Sequence, residues 1–274
     1  MNSSSAGEAD RRAAGTDLIT ALLRPDGYPH PVASVRLIET HISWVLLTGS
    51  WAYKIKKPVN LGFLDFTTLE SRRHFCEEEL RLNRRFAPRI YESLVKICGT
   101  AQHPRIEGAG PVVDYAVKMR EFPQEALASE MLARDALTVR HVDWLAQGVA
   151  NFHGGAARAD AASVFGTPDS VLKPALDNFQ ALDRCLSGHA VGEALRALRE
   201  WTEREYALRE TAFAARRKEG FIRECHGDLH LRNIAVLEGE PVPFDCIEFD
   251  ERLRWIDVMS EIAFVVMDFE DRRR

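Results

Sequence analysis

His226-Gly227-Asp228-Leu229-His230-Leu231-Arg232-Asn233, continued through Ile234 to Asp245, is the stretch that decides the reading of this chain. It begins as a polar loop with a carboxylate at Asp228 and an amide at Asn233. Two apolar runs follow, Ile234 to Leu237 and Val242 to Asp245. The turn residues Glu238-Gly239-Glu240-Pro241 separate them, which is the composition of a β-hairpin. A second carboxylate, Asp245, closes that hairpin. A helix from about Ile256 is predicted to end the chain.

Working upstream, the chain falls into a strand-rich part and a helical part. Val35 to Glu39, Trp44 to Leu47 and Trp51 to Lys56 read as strands, short and rich in β-branched and aromatic residues. Thr48-Gly49-Ser50 turns between the last two, and Pro58 stops the third. Thr67 with Glu70 three residues on fits a capping box, so a helix is predicted over Leu69 to Phe86, ended by Pro88. Phe75, Leu82 and Phe86 share a face of it, and Glu79 lies on the same face. A carboxylate in an apolar stripe needs a partner, because an unpaired buried charge is costly. Tyr91 to Cys98 and Val112 to Met119 read as two further strands, with Tyr115, Val117 and Met119 on one side. Arg120-Glu121-Phe122-Pro123 then reads as a hinge. Beyond it, Val142, Leu145, Val149 and Phe152 form a helical stripe closed by Gly154-Gly155. Leu172 to Lys218 is largely helical, with a break near Ser187-Gly188. The expected organisation is a tail over residues 1–16, a strand-rich lobe over 17–121 and a helical lobe over 122–274, in an α+β class.

Composition agrees with a soluble globular protein: 274 residues, 46% hydrophobic and 28% charged. The formal net charge of −5 and pI of about 6.0 argue against a nucleic-acid binder. They leave room for a nucleotide site, which needs only a few local cations. Five scattered cysteines without a CxxC pair argue against a disulfide framework or a structural zinc, and suit reduced thiols in a cytoplasm. The N-terminus has no apolar segment of secretory type and reads as a disordered tail. No apolar run approaches the roughly 18 residues of a membrane span.

The loop and hairpin carry the chemistry. Phosphoryl transfer needs an oriented nucleophile, metal ions on the phosphates and compensating positive charge. Asp228 and Asn233, five residues apart, and Asp245 after the hairpin have the spacing that such catalysis uses. Asp228 is the expected base that orients or deprotonates an acceptor hydroxyl. Asn233 and Asp245 are the expected ligands of one or two Mg²⁺, which needs few protein oxygens.

The segment from His226 to Asn233, with Asp245 beyond it, resembles the aminoglycoside phosphotransferase and choline kinase-like family. The resemblance implies a two-lobed protein-kinase-like fold, ATP or GTP as phosphoryl donor, Mg²⁺, and a small-molecule hydroxyl as acceptor. Gly227 after the histidine suits the small-molecule kinases. Asp245-Cys246-Ile247 is not Asp-Phe-Gly, and no Ala-Pro-Glu occurs, so a phosphorylation-controlled activation loop is not expected. Thr48 to Pro58 and Phe244 to Asp257 look like a bacterial subgroup often fused to a C-terminal P-loop ATPase-like domain. No G-x-x-x-x-G-K-[ST] occurs here, so such a domain is expected only as a missing segment or partner.

The same resemblance places the nucleotide contacts. Trp51-Ala52-Tyr53-Lys54 is similar to the lysine strand of kinases, with Ala52 leaving room for a purine and Lys54 reaching the phosphates. Glu79 is the expected ion-pair partner of Lys54, and Lys56, of the same parity, is the rival lysine. The hinge, Met119 to Phe122 with Glu121, would meet the purine through its backbone. Asp257 is expected either to brace the catalytic loop or to sit as an acid at a helix N-terminus. Glu248 is read as a metal-proximal carboxylate or, more simply, a solvated one.

Two features depart from the family pattern. The turn Glu39-Thr40-His41-Ile42-Ser43 lacks glycine where a phosphate would approach, leaving the Thr40 and Ser43 hydroxyls as substitutes. The chain also ends soon after its last helix, as a fragment or a short form would. One rival reading is therefore a pseudokinase-like nucleotide-binding module. Another is a metal-dependent hydrolase built on Cys225, His226, Asp228 and His230.

Overall fold

The computed structural model describes residues 15–186 and 192–272. The expected break at Ser187-Gly188 and most of the expected tail lie outside them. The structure divides into two compact units, one of residues up to 146 with 230–250, the other of 147–229 with 251 onward. The boundary expected at Glu121/Phe122 is therefore not where the chain divides. Residues up to 146 remain with the sheet unit, and the loop-and-hairpin segment from His230 belongs to it as well.

The first unit is an α+β structure on an antiparallel six-stranded sheet. Its strands are β1 (Arg36–Glu39), β2 (Ser43–Leu47), β3 (Trp51–Lys56), β4 (Tyr91–Gly99), β5 (Pro104–Ile106) and β6 (Val112–Arg120), in the order β1-β2-β3-β6-β4-β5. β5 was not anticipated, since three residues carry no readable alternation. Alternation sorts the central strands. Tyr53 and Ile55 of β3 join Leu46, Ile97 and Ala116 in one core. Ala52 joins Leu47, Tyr115, Val117 and Met119 in the other. β3 is thus buried on both faces.

The cover on the first face is helix α1, residues 15–22, whose Leu18, Ile19 and Leu22 pack into that core. Gly15 and Thr16, expected in the tail, are helical. The periodicity Leu18, Ile19, Leu22 was the available signal. The second face carries α2 (Leu69–Asn83), which ends three residues before the expected Phe86. Its N-cap is Thr68, accepting from Ser71 N–H at 3.0 Å, not the expected Thr67. Thr67 instead donates to Asp65. On the inner side of α2, Arg72 meets Asp114 of β6 at 2.8 Å and donates to Phe66 O at 3.0 Å. Burial holds the Asp114 carboxyl above its ordinary range despite that guanidinium.

The same unit contains α3 (Ala128–Ala133) and the hairpin of β8 (Ile234–Leu237) and β9 (Glu240–Pro243). Its two-residue turn, Glu238-Gly239, takes positive φ at both positions. The second strand starts two residues before the expected Val242 and ends at Pro243, leaving Asp245 in the loop beyond. Leu237, Val242 and Phe244 pack against the second core.

In the second unit, α5 (Pro168–Leu186) and α6 (Gly192–Lys218) follow α4 (Val139–Gly155), within which the division of the units falls. β7 (Ile222–Glu224) pairs antiparallel with β10 (Trp255–Asp257), which follows the short helix α7 (Glu251–Arg254). Neither three-residue strand was expected. The last helix, α8 (Val258–Asp271), starts after the expected Ile256 because Asp257 caps it, accepting from Met259 N–H at 2.8 Å. Among the described residues no helix is long and apolar enough to cross a membrane.

Candidate functional site

A cavity of about 330 Å³ opens in the first unit. Val45, Leu47 and Ala52 give it apolar walls from the sheet, and Met119 to Phe122 line it from the end of β6 and the segment after it. Lys54, Arg232, Asn233 and Asp245 supply its polar groups. A mostly apolar lining with a few convergent polar groups is the usual form of a small-ligand site.

Lys54 is placed by strand parity. It follows Ala52 on the α2 side of β3, and its Nζ lies 2.5 Å from Asp245 Oδ1 and 2.8 Å from Glu79 Oε1. Lys56, two residues on, has its Nζ 2.7 Å from Glu79 Oε2 and hydrogen-bonded to Glu248. Glu79 is fully buried and is shared by both lysines, so the partner expected for Lys54 serves its rival too. The two lysines differ in what else they face. Lys54 lines the cavity. Lys56 lies wholly in the interior, over the Phe66 ring at 5.0 Å. Burial by itself would drive each ammonium toward neutrality; Asp245, Glu79 and Glu248 reverse this at Lys54, and Glu248 and Glu79 at Lys56, raising both above the ordinary lysine value.

Glu248 corrects an expectation. It is buried against Lys56 and not solvated. Burial raises its pKa, opposed chiefly by the Lys56 charge. The segment from Phe244 to Glu248 is held from several sides. Phe244 N–H donates to Asn233 O at 2.9 Å, Asp245 N–H to the Tyr91 hydroxyl at 3.1 Å, and Cys246 N–H to Asn83 Oδ1 at 2.9 Å. Asn83 in turn donates to Glu79 O. These bonds hold Asp245 at φ 66°, a left-handed conformation that a non-glycine residue adopts at some cost. Sequence reasoning missed Tyr91 and Asn83. Asn83 lies one helical turn past Glu79, the only hint available.

Asn233 ends the 3-10 turn Leu231–Asn233, which His230 caps by accepting from Arg232 N–H at 3.1 Å. At the segment from Met119 to Phe122, the N–H groups of Arg120 and Glu121 are already used, donating to Ile90 O and Ser50 O. The Glu121 carboxylate accepts from Gly49 N–H at 2.7 Å, so this side chain fixes the turn before β3. Among the described residues, the Glu121 carbonyl and the Phe122 N–H have no hydrogen-bond partner. The glycine-free turn before β2 is closed by Thr40, whose hydroxyl donates to Ser43 O and accepts from Ser43 N–H. Thr40 lines the cavity, whereas Ser43 is buried and does not.

Asp228 belongs to the second unit. Its N–H donates to His226 Nδ1 at 3.3 Å. Gly227 beside it has φ 87°, and a Cβ there would stand 2.7 Å from Leu253 O. The brace of this loop is Glu261 of α8. Its Oε1 accepts from His226 N–H and from Gly227 N–H at 2.9 Å, and its Oε2 meets His153 Nε2 at 2.6 Å. Burial would raise the Glu261 pKa, but the His153 hydrogen bond, the nearby His226 and the Gly227 amide together lower it. Asp257 takes the other expected role: it caps α8 and pairs with Arg216 through two bonds of 2.6 and 2.8 Å. Glu261 stood in the sequence as a lone carboxylate among Ile262, Ala263, Val265 and Val266, the same signal that marked Glu79.

His153, Cys225 and Glu261 are the group with metal-ligand spacing among the described residues. It shares only Cys225 with the Cys225, His226, Asp228 and His230 set that a hydrolase would use, and both Glu261 oxygens already accept hydrogen bonds.

No protein-family model matches the chain. It is 31% identical over 244 residues to an uncharacterized protein of Mycobacterium tuberculosis, and equally to one of Mycobacterium bovis. The match covers 88% of this chain and 47% of each relative, so the chain spans about half the length of the curated relatives it matches.

Proposed function

We propose that this chain is a phosphotransferase of protein-kinase-like fold that moves the γ-phosphoryl group of ATP or GTP to a hydroxyl of a small molecule. The observation that carries the reading is Lys54, placed between Glu79 and Asp245 in a mostly apolar cavity. The apolar walls suit a purine, and the Glu121 carbonyl and Phe122 N–H offer it an acceptor and a donor. Lys54 supplies positive charge for the phosphates.

The donor set also fits Mg²⁺. Asp245 and Asn233 contribute hard oxygens, and the Asp245 side chain remains 40% exposed. Bound there, Mg²⁺ would neutralise charge developing on the phosphate oxygens. In this reading Asp228 accepts the proton of the acceptor hydroxyl as the new O–P bond forms and the nucleoside diphosphate leaves. Glu261 positions the loop that carries Asp228. The glycine-free turn closed by Thr40 favours one alternative, a nucleotide-binding module without turnover.

Calorimetric titration of ATP and GTP, with and without Mg²⁺, separates these readings. Asp245→Asn is expected to weaken Mg²⁺-nucleotide binding by about tenfold or more. Asp228→Asn is expected to spare binding and cut turnover by roughly 10²- to 10⁴-fold. Binding without turnover by the wild type, across a screen of hydroxyl acceptors, selects the binding module. No binding of either nucleotide removes both.

A further inference from the structure

The structure contains a second buried lysine that the nucleotide reading does not use. Lys56 is completely enclosed and bonds to Glu79 and Glu248 with its ammonium over Phe66, so it does not reach the cavity. Glu79 is equally enclosed, and its two oxygens are divided between the lysines: Oε1 to Lys54, Oε2 to Lys56.

Consider what happens when Lys54 turns toward a phosphate. Its contact with Glu79 Oε1 must weaken, leaving a carboxylate with no access to water. Breaking a buried pair on one side strands an uncompensated charge and is strongly unfavourable. Lys56 prevents this, because Glu79 keeps one ammonium whatever Lys54 does. Glu248 in turn holds Lys56 from the far side, on the same segment as Asp245.

We infer that Lys56 is a positioning residue that neutralises Glu79 and so releases Lys54 for an anionic ligand, with Glu248 as its anchor. This rests on the nucleotide reading of the cavity. Without Lys56, Glu79 would hold Lys54 as its sole cation, and the lysine would be withdrawn from the phosphates. Packing alone makes no such demand: a purely structural Lys56 could be exchanged, together with Glu248, for apolar residues with stability and affinity both kept.

The test compares three proteins by thermal melting and by calorimetry with Mg-ATP: wild type, K56M/E248M, and K56M/E248M/E79Q. Removing Glu248 with Lys56 avoids stranding that carboxylate and keeps the fold testable. The double variant is expected to fold but to bind Mg-ATP about tenfold or more weakly. Neutralising Glu79 in the triple variant frees Lys54 again, so affinity should rise by about threefold or more above that of the double variant. Wild-type affinity in the double variant overturns the inference, as does a triple variant that folds without recovering. If the double variant does not fold, K56Q/E248Q, which keeps the polar contacts without the charges, takes its place with and without E79Q, and the same two outcomes decide. A wild type that binds no nucleotide removes the nucleotide reading itself, an outcome distinct from all of these.

Discussion

Burial should strip a lysine of its proton, yet Lys54 is held charged by the carboxylates of Asp245, Glu79 and Glu248 around it. The same balance acts in the second unit with the signs exchanged. Glu261 is buried, but one ring nitrogen and two backbone N–H groups keep it ionised. Its folded pKa lies below its unfolded one. The stability it contributes is therefore complete above the usual glutamate value of 4.5 and is lost as pH falls through the lower folded value. Melting curves from neutral to acid pH should show that loss in the wild type and a shallower acid slope in Glu261→Gln. An unchanged slope would mean the brace contributes nothing to acid stability. The buried Arg72 to Asp114 pair invites a second measurement. Arg72→Met leaves Asp114 enclosed without its guanidinium and should cost roughly 3–5 kcal/mol in denaturant titration.

Elements in this chain begin and turn where a side chain or a glycine permits. Helix α2 starts at a threonine whose oxygen satisfies a free N–H, so Thr68→Ala should cost about 1 kcal/mol. Two glycines separate conformational need from spatial need. Gly239 has positive φ with open space around it, and Gly239→Ala should cost roughly 1 kcal/mol, the strain of a left-handed residue. Gly227 has positive φ and also the Leu253 carbonyl at contact, so Gly227→Ala should cost more and disturb the loop bearing Asp228. Equal losses at the two positions in chemical denaturation would show that the contact at Gly227 relaxes freely. Most strand and helix positions were legible because alternation and helical spacing are local properties. The three-residue strands β5, β7 and β10 were not, since their pairing comes from residues far along the chain.

At the scale of the molecule, a ligand that binds only the folded state stabilises it by mass action. With nucleotide at a hundred times its dissociation constant, the gain is about 2.7 kcal/mol. On the proposed nucleotide reading, a Mg²⁺-dependent rise in melting temperature is expected for the wild type and a smaller one for Asp245→Asn. The mycobacterial relatives match this chain over about half of their own length.

By itself the sequence determined the α+β class, the strands Trp51–Lys56 and Ile234–Leu237, the helix from Leu69, and the candidates Lys54, Glu79, Asn233, Asp228 and Asp245. The elements follow from periodicity and turn residues, and Asp228, Asn233 and Asp245 from their spacing, whereas Lys54 and its pairing with Glu79 were expected from the resemblance of Trp51 to Lys54 to the lysine strand of kinases. Only the tertiary structure decided how the charges pair. Lys54 and Asp245 stand 191 positions apart and Lys56 and Glu248 stand 192 apart. No local pattern could tell that Glu248 is buried, that Glu79 is shared by two lysines, or that Glu261 and not Asp257 holds the loop before Asp228. A buried charge is stable only beside its complement, and which complement it meets is settled when distant segments pack together.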